Sequence, residues 1–126
     1  YVLTLLGARS VYLPAAVDRR ILDWFWKNPE GIGYLGVNMQ YPRPFHIFNW
    51  LESLEILSRF QSWHAVAAGA LEWLWYQRND NGLWDFGSKV SKSYYFPLSD
   101  DWRKAGNRSV DHSTRVLVLL RQFSGD

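Results

Sequence analysis

Two adjacent aspartates in the segment Ser99–Trp102 are the residues of this sequence best suited to acid chemistry. Neighbouring carboxyl groups can hold a Mg²⁺ ion together, or they can interact so that the pKa of one of them is raised. Asp100 and Asp101 are therefore candidate catalytic residues, with proton transfer or metal holding as their role. The alternative is a solvated loop or helix start in which both acids pair with Arg103 and Lys104.

Histidine is the other residue type here that could move protons. His46, His64 and His112 are far apart and lack the spacing of zinc ligands, such as i and i+4 on a helix, so we predict no metal site. His112 is the third candidate catalytic residue, because Asp111 and Ser113 flank it. Adjacent helical residues do not face each other, so Asp111 is not expected to orient the His112 ring. No strand–turn–helix elbow surrounds Ser113, which argues against a nucleophile there.

An aromatic, partly basic loop face, residues 81–108, could form a ligand-binding surface. Tryptophan rings can stack on apolar or sugar ligands, while carboxylate and guanidinium groups bind polar ones. The candidate binding residues are Trp84, Asp85, Trp102 and Arg103, with ring stacking for the tryptophans and anion contact for the arginine. Further residues that would suit a sugar cleft are Asp80, Tyr94 and Tyr95. The acids of such a cleft would all lie in one loop region, so two of them cannot be placed on opposite sides of a bond.

The first half of the chain predicts two helices joined by a long loop. The first helix begins at Leu13–Pro14, since proline is tolerated in a first helical turn, and it ends at Asn28–Pro29. A loop rich in glycine and proline spans 30–44. The second helix spans about 47–60 and carries an apolar stripe at helical spacing.

The second half has the same arrangement of helix, loop and helix. The third helix runs from its N-cap Ser62 to Gln77, and an irregular loop leads to a final helix at about 109–123. The apolar run 116–120 could instead be a buried strand. We favour a helix because the apolar periodicity extends upstream and Gly125 stands where a C-terminal cap belongs.

The two halves also match in sequence. Ile21–Trp26 (Ile-Leu-Asp-Trp-Phe-Trp) corresponds to Ala70–Trp75 (Ala-Leu-Glu-Trp-Leu-Trp), and a turn containing glycine follows each copy. Such a period with two helices per unit predicts stacked helical hairpins. The predicted organisation is one all-α domain over 1–126, with repeats at about 13–60 and 62–123 and the tail of a preceding helix at 1–9. A stack normally needs about three repeats, so we expect the remainder of a longer chain, or a second copy of this one, to complete it.

One stretch of the second repeat carries a resemblance to a known family. In the QW repeat of the squalene cyclase and protein prenyltransferase superfamily, an aromatic residue or leucine near a helix end is followed by glutamine, a short turn and Gly-X-Trp. Trp73, Gln77, Gly82 and Trp84 match these positions. The resemblance implies antiparallel helical hairpins stacked as part of an α/α toroid. It also implies structural roles for the tryptophans, and for Gln77 a side chain that bridges unpaired groups at helix ends.

The same resemblance implies little about the reaction. The cyclases use a protonated carboxyl group from an Asp-X-Asp-Asp motif, which Asp100 and Asp101 match only in part. The prenyltransferases hold zinc with Asp, Cys and His, and this chain has no cysteine. In the first repeat Asn28 replaces the glutamine and Gly33 the second tryptophan. Mg²⁺ is implied as a cofactor only if the substrate is a diphosphate. We expect a helical-repeat domain similar to these toroids, with activity unproven; the alternatives are an α/α-barrel carbohydrate-processing segment and a non-catalytic scaffold for an apolar ligand or a protein.

Composition excludes several other classes of protein. The 126 residues suffice for one domain, and 48% hydrophobic with 21% charged residues excludes a disordered chain. No apolar run approaches the roughly 20 residues of a membrane-spanning helix. No targeting signal is recognised, so we expect a soluble domain and assign no compartment. The net charge of +2 arises from basic residues scattered among acids, which predicts no nucleic-acid binding, and the lack of cysteine excludes disulfides and thiol chemistry.

Overall fold

The computed structural model describes residues 12–32, 37–90 and 102–123, without the side chains of 122 and 123, and over these residues it contains helices and no strands. The elements are α1 (Ala15–Lys27), a short 3₁₀ helix (Pro44–His46), α2 (Ile47–Leu57), α3 (Trp63–Tyr76) and α4 (Ala105–Phe123). The all-α prediction is confirmed. Residues 116–120 lie inside α4, so they do not form the alternative strand. Gly125 and the predicted helix tail at 1–9 lie outside the described residues.

Proline residues define both ends of α1. Pro14 is the N-cap, with φ −55° and ψ 139°, and its carbonyl accepts a hydrogen bond from the Asp18 amide at 3.0 Å. The helix therefore begins just after the predicted proline. It ends at Lys27, as predicted, because Pro29 favours an extended conformation for Asn28, which has ψ 126°.

A buried carboxylate from α1 holds the turn between α2 and α3. Asp18 is fully buried and accepts hydrogen bonds from the backbone amides of Gln61 at 3.0 Å and Ser62 at 2.9 Å, and from the Ser62 hydroxyl. Ser62 stands at the predicted N-cap position of α3, but its hydroxyl binds Asp18 and makes no capping bond. Helix α2 ends at Leu57, earlier than predicted, and Phe60 packs into the core from the turn.

Helices one predicted repeat apart contact each other. Helix α1 contacts α3, and α2 contacts α4. Indole rings mediate the packing around α3: the centroids of Trp26 and Trp63 are 5.9 Å apart, and those of Trp50 and Trp73 are 5.3 Å apart. Helix α2 is the centre of the core, with Trp50 and Leu54 fully buried. Large rings bury much apolar area on few residues, which explains how a short chain with 8 tryptophans forms a core.

A left-handed glycine follows the first helix of each predicted repeat. Gly31 has a φ of 56° and Gly82 a φ of 75°, a conformation that side chains with a Cβ rarely adopt. A Cβ added at Gly31 would lie 1.9 Å from the carbonyl oxygen of Val37, whereas nothing lies within 4 Å of one added at Gly82. Both glycines lie in turns, as predicted, and Gly31 also permits a close approach of two backbone segments.

Candidate functional site

The segment 84–87 docks on α4 and begins with a tryptophan that closes the end of α3. The Trp84 amide donates a hydrogen bond to the Ser113 hydroxyl at 2.8 Å, and its indole N–H donates to the Leu74 carbonyl at 2.8 Å. The ring is 1% exposed. Trp84 therefore provides a second hydrogen bond to a carbonyl at the C-terminal end of α3, which also accepts the Gln77 amide at 3.1 Å; a side-chain contact of this kind was expected of Gln77. The Gln77 side chain is exposed and forms no hydrogen bond with the described residues.

Asp85 is the acceptor of a bidentate ion pair with α4. Arg108 donates from Nε to Oδ1 at 3.0 Å and from Nη2 to Oδ2 at 3.2 Å, and the Gly87 amide donates to Oδ1 at 2.9 Å. Burial alone would raise the pKa of Asp85, but the hydrogen bonds from Arg108 and Gly87 and the positive charge of Arg108 outweigh it, so the pKa is lowered. Asp85 is therefore ionised, both of its carboxylate oxygens accept hydrogen bonds, and it has no proton to donate.

His112 lies at the centre of this cluster and is fully buried. Its Nδ1 accepts a hydrogen bond from the Phe86 amide at 3.0 Å, and the same nitrogen is 4.0 Å from Oδ1 of Asp85. Because Nδ1 is an acceptor, the hydrogen-bond network assigns the proton of the neutral ring to Nε2. Nε2 is buried and has no hydrogen-bond partner in the described part of the chain.

Aromatic rings enclose His112 and determine its protonation. Phe48 and Trp102 meet it edge-on at centroid distances of 5.1 and 4.7 Å, and Phe86 stacks on it at 5.7 Å. Burial lowers the pKa of His112 from 6.5 to about 4, although the negative charge of Asp85 opposes the shift. At neutral pH the ring is therefore a hydrogen-bond donor through Nε2, and its only lone pair is used by Phe86. Proton abstraction by His112 would require that bond to break.

Trp102 completes the cluster, and Arg103 contributes to it through its backbone. The Trp102 indole N–H donates to Oδ2 of Asp111 at 2.5 Å, and the ring is 2% exposed. Asp111 thus faces Trp102, while the adjacent His112 faces Phe86. Arg103 is exposed and contributes its backbone carbonyl, which accepts a hydrogen bond from Nη1 of Arg108 at 3.1 Å.

The two adjacent aspartates lie outside the described residues, so their predicted acid role stays a prediction. Another pair of carboxyl groups, Glu52 and Glu55, lies on α2, and it was not predicted from the sequence. Glu55 forms an ion pair with Nη1 of Arg115 from α4, and Nη2 of Arg115 is 4.0 Å from Glu52. Burial, and then the charge of Glu55, raise the pKa of Glu52 against the opposing charge of Arg115. The i, i+3 spacing was the available signal, but it does not reveal the arginine partner.

A cleft lined by three tryptophans is the second feature that sequence reasoning missed. It has a volume of about 350 Å³ and lies between the end of α1, the loop before α2 and one face of α3. Its lining residues are Trp26, Met39, Gln40, Pro42, Trp50, Val66, Gly69, Ala70 and Trp73. The indole N–H of Trp50 already donates to the Met39 carbonyl at 3.0 Å, so that edge offers no donor to a ligand. Gly69 leaves open space on α3, since nothing lies within 4 Å of a Cβ added there.

The structure thus brings Trp84, Asp85, Trp102 and His112 into one buried cluster whose hydrogen bonds hold the segment 84–87 on α4. Within the described residues, no group of three metal-ligating side chains comes together, and no helix is long and apolar enough to cross a membrane. No protein-family model, no curated protein and no solved structure matches this chain.

Proposed function

We propose that this chain forms two successive repeats of an α/α array similar to the squalene cyclase and protein prenyltransferase toroids, and that it binds an apolar, isoprenoid-type ligand. The tryptophan-lined cleft is the observation that carries the ligand proposal. Ligand pockets are typically concave, mostly apolar and aromatic, and several hundred cubic ångströms in volume. At about 350 Å³, the cleft is within that range.

Helix packing supports the array. In a stack of helical hairpins each unit buries its apolar faces against the next one, so equivalent helices of successive repeats become neighbours. The contacts of α1 with α3 and of α2 with α4 have this arrangement. Trp84 is the tryptophan of the Gly-X-Trp element in the second repeat, and its indole hydrogen bond to the Leu74 carbonyl is consistent with a structural role.

The chemistry of the cleft favours an apolar ligand over a sugar. A sugar requires several hydrogen-bonding groups aimed at its hydroxyls, and an unpaired polar group in such a site is costly. Gln40 is the one amide side chain among the cleft's described lining residues, and the Trp50 N–H is already paired. The residues that made a sugar cleft attractive, Trp84 and Asp85, are held in contacts within the fold.

Filling the cleft tests this proposal. Gly69→Leu places a side chain into the open space, and it also removes a helix-interior glycine, so the variant is expected to fold. Ala68→Leu is the matched control, because Ala68 is exposed on the same helix and does not line the cleft. Thermal unfolding followed by circular dichroism, with and without farnesol, is the measurement.

We expect farnesol to stabilise the wild-type chain and Ala68→Leu, by about 2.7 kcal/mol when free ligand is a hundredfold above Kd. Gly69→Leu should show little or none of this gain. An equal shift in both variants would place the ligand elsewhere, and no shift in the wild-type chain would contradict an isoprenoid ligand. The role of Asp100 and Asp101 is tested by repeating the thermal unfolding with prenyl diphosphate and Mg²⁺. Asp100→Asn should abolish any stabilisation by this ligand beyond that given by farnesol.

A non-catalytic scaffold is the second candidate, and the outer face of α4 favours it. Val110, Leu117 and Val118 are each more than half exposed, on the side of the helix away from His112. Apolar residues grouped on one exposed face are typical of an association surface. If a second copy of this chain binds there, sedimentation velocity should show a dimer that Leu117→Lys dissociates, and a monomer at all concentrations would argue against it.

A further inference from the structure

The segment between α1 and α2 contains a second cavity, which shares Pro42 with the tryptophan-lined cleft and has no lining residue in common with the cluster around His112. It has a volume of about 390 Å³. Four of its described lining residues carry hydrogen-bond donors: Asn38, Tyr41, Arg43 and His46. The other described lining residues are apolar, and no carboxylate is among them.

The donors of this cavity are not used within the described chain. Arg43 is exposed and forms no ion pair with a described residue, and neither the Tyr41 hydroxyl nor the His46 ring makes a hydrogen bond there. Nδ1 of His46 is buried and has no hydrogen-bond partner among the described residues. Arginine carries a permanent positive charge and can bind an oxyanion with two parallel hydrogen bonds.

The local backbone fixes the orientation of Asn38. Its Oδ1 accepts hydrogen bonds from the amides of Gln40 at 2.9 Å and Tyr41 at 3.3 Å. With the oxygen used by the backbone, the NH₂ group is the part of the side chain left for a ligand. Pro42 and Pro44 on either side of Arg43 restrict the backbone, so the donors are presented by a segment with little conformational freedom.

We propose that this cavity binds the phosphate group of a small phosphorylated molecule, through Arg43, His46, Tyr41 and the amide of Asn38. A site with several donors and no acidic side chain complements a ligand that offers only acceptors, and phosphate oxygens meet that requirement. The cavity is larger than one phosphate group, which leaves room for the rest of the molecule. This proposal is independent of the apolar ligand proposed above.

Titration calorimetry of the full chain with inorganic phosphate and pyrophosphate tests the site. Arg43→Gln removes the fixed charge, and Arg59→Gln is the matched control, since Arg59 is exposed and does not line the cavity. We expect Arg43→Gln to weaken phosphate binding about tenfold or more, as for the loss of a hydrogen bond to a charged group, and Arg59→Gln to change it less than twofold. Tyr41→Phe, at an exposed position, provides a second variant that leaves the charge intact and should weaken binding by a smaller factor.

Equal weakening by both arginine variants would show attraction by net charge alone and would overturn the site. Absence of phosphate and pyrophosphate binding to the wild-type chain would overturn it as well. Acetate that binds as tightly as phosphate would contradict the assignment to a phosphate group.

Discussion

The stability of this protein should fall as the pH falls from 6.5 to 4, because of His112. Its folded-state pKa is about 4, against 6.5 for the ordinary group, and its side chain is fully buried. Between these two values the unfolded chain binds a proton that the folded chain does not, so the free energy of unfolding rises with pH. The difference of about 2.5 pKa units corresponds to about 3 kcal/mol, present in full above pH 6.5 and lost as the pH approaches 4.

Urea unfolding at several pH values between 7.5 and 4 measures this effect. His112→Asn is the control, because an asparagine oxygen can accept the Phe86 amide hydrogen bond and does not titrate in this range. The variant should be less stable at pH 7, owing to the smaller side chain. The difference in free energy of unfolding between wild type and variant removes the contribution of the carboxyl groups common to both.

The refuting result is a wild-type minus variant difference that stays constant from pH 7.5 to 4. It would mean that His112 titrates equally in the folded and unfolded chains. The enclosure of the ring by Phe48, Phe86 and Trp102, and the hydrogen bond at Nδ1, would then be wrong.

Substitutions at Gly31, Asp18 and Trp84 test the framework that positions the cluster, each by its effect on urea unfolding. Gly31→Ala should prevent folding or destabilise the protein by several kcal/mol, because the added Cβ meets the carbonyl oxygen of Val37. Gly82→Ala should cost only about 1–2 kcal/mol, from backbone strain alone. Equal costs would contradict the close approach of the backbone at Val37 to Gly31. Asp18→Ala leaves backbone amides of the α2–α3 turn without their acceptor and should cost about 2–4 kcal/mol, and a change below about 0.5 kcal/mol would refute that role. Trp84→Phe should cost about 1–2 kcal/mol through the lost indole hydrogen bond, and the exposed Trp75→Phe less; the reverse order would contradict the capping of α3 by Trp84.

Local patterns predicted the helices well, because helix formation depends on nearby residues. The end of α1 at Asn28–Pro29 and the helical state of 116–120 follow from backbone restriction and apolar periodicity, and both are confirmed. Helix α4 begins at Ala105, four residues before the predicted Ser109. At this start, the Arg108 guanidinium donates a hydrogen bond to the Trp102 carbonyl, which lies before the helix. No local sequence pattern predicts that a side chain binds an upstream carbonyl.

Long-range partners could not be predicted. The bond from the Ser62 amide to Asp18 joins residues 44 positions apart, and an aspartate inside a helix gives no sign of which distant amide it binds. Residue type alone identified Trp84, Asp85 and His112 as candidate site residues, and in the structure they lie together. It does so through Ser113 and Arg108, whose partners depend on how 84–87 lies on α4. The tryptophan-lined cleft likewise combines residues from 26 to 73, which only the packing of α1 on α3 unites.

The most direct test of the ligand proposal is a nuclear magnetic resonance titration of ¹⁵N-tryptophan-labelled protein with farnesol. Each indole N–H gives its own signal, so the rings that line the cleft are observed separately from the others. We predict that the signals of Trp26, Trp50 and Trp73 shift with one common Kd, while the signal of Trp84, which is buried and does not line the cleft, stays in place. Unchanged cleft signals, or a shift confined to tryptophans outside the cleft, would contradict it.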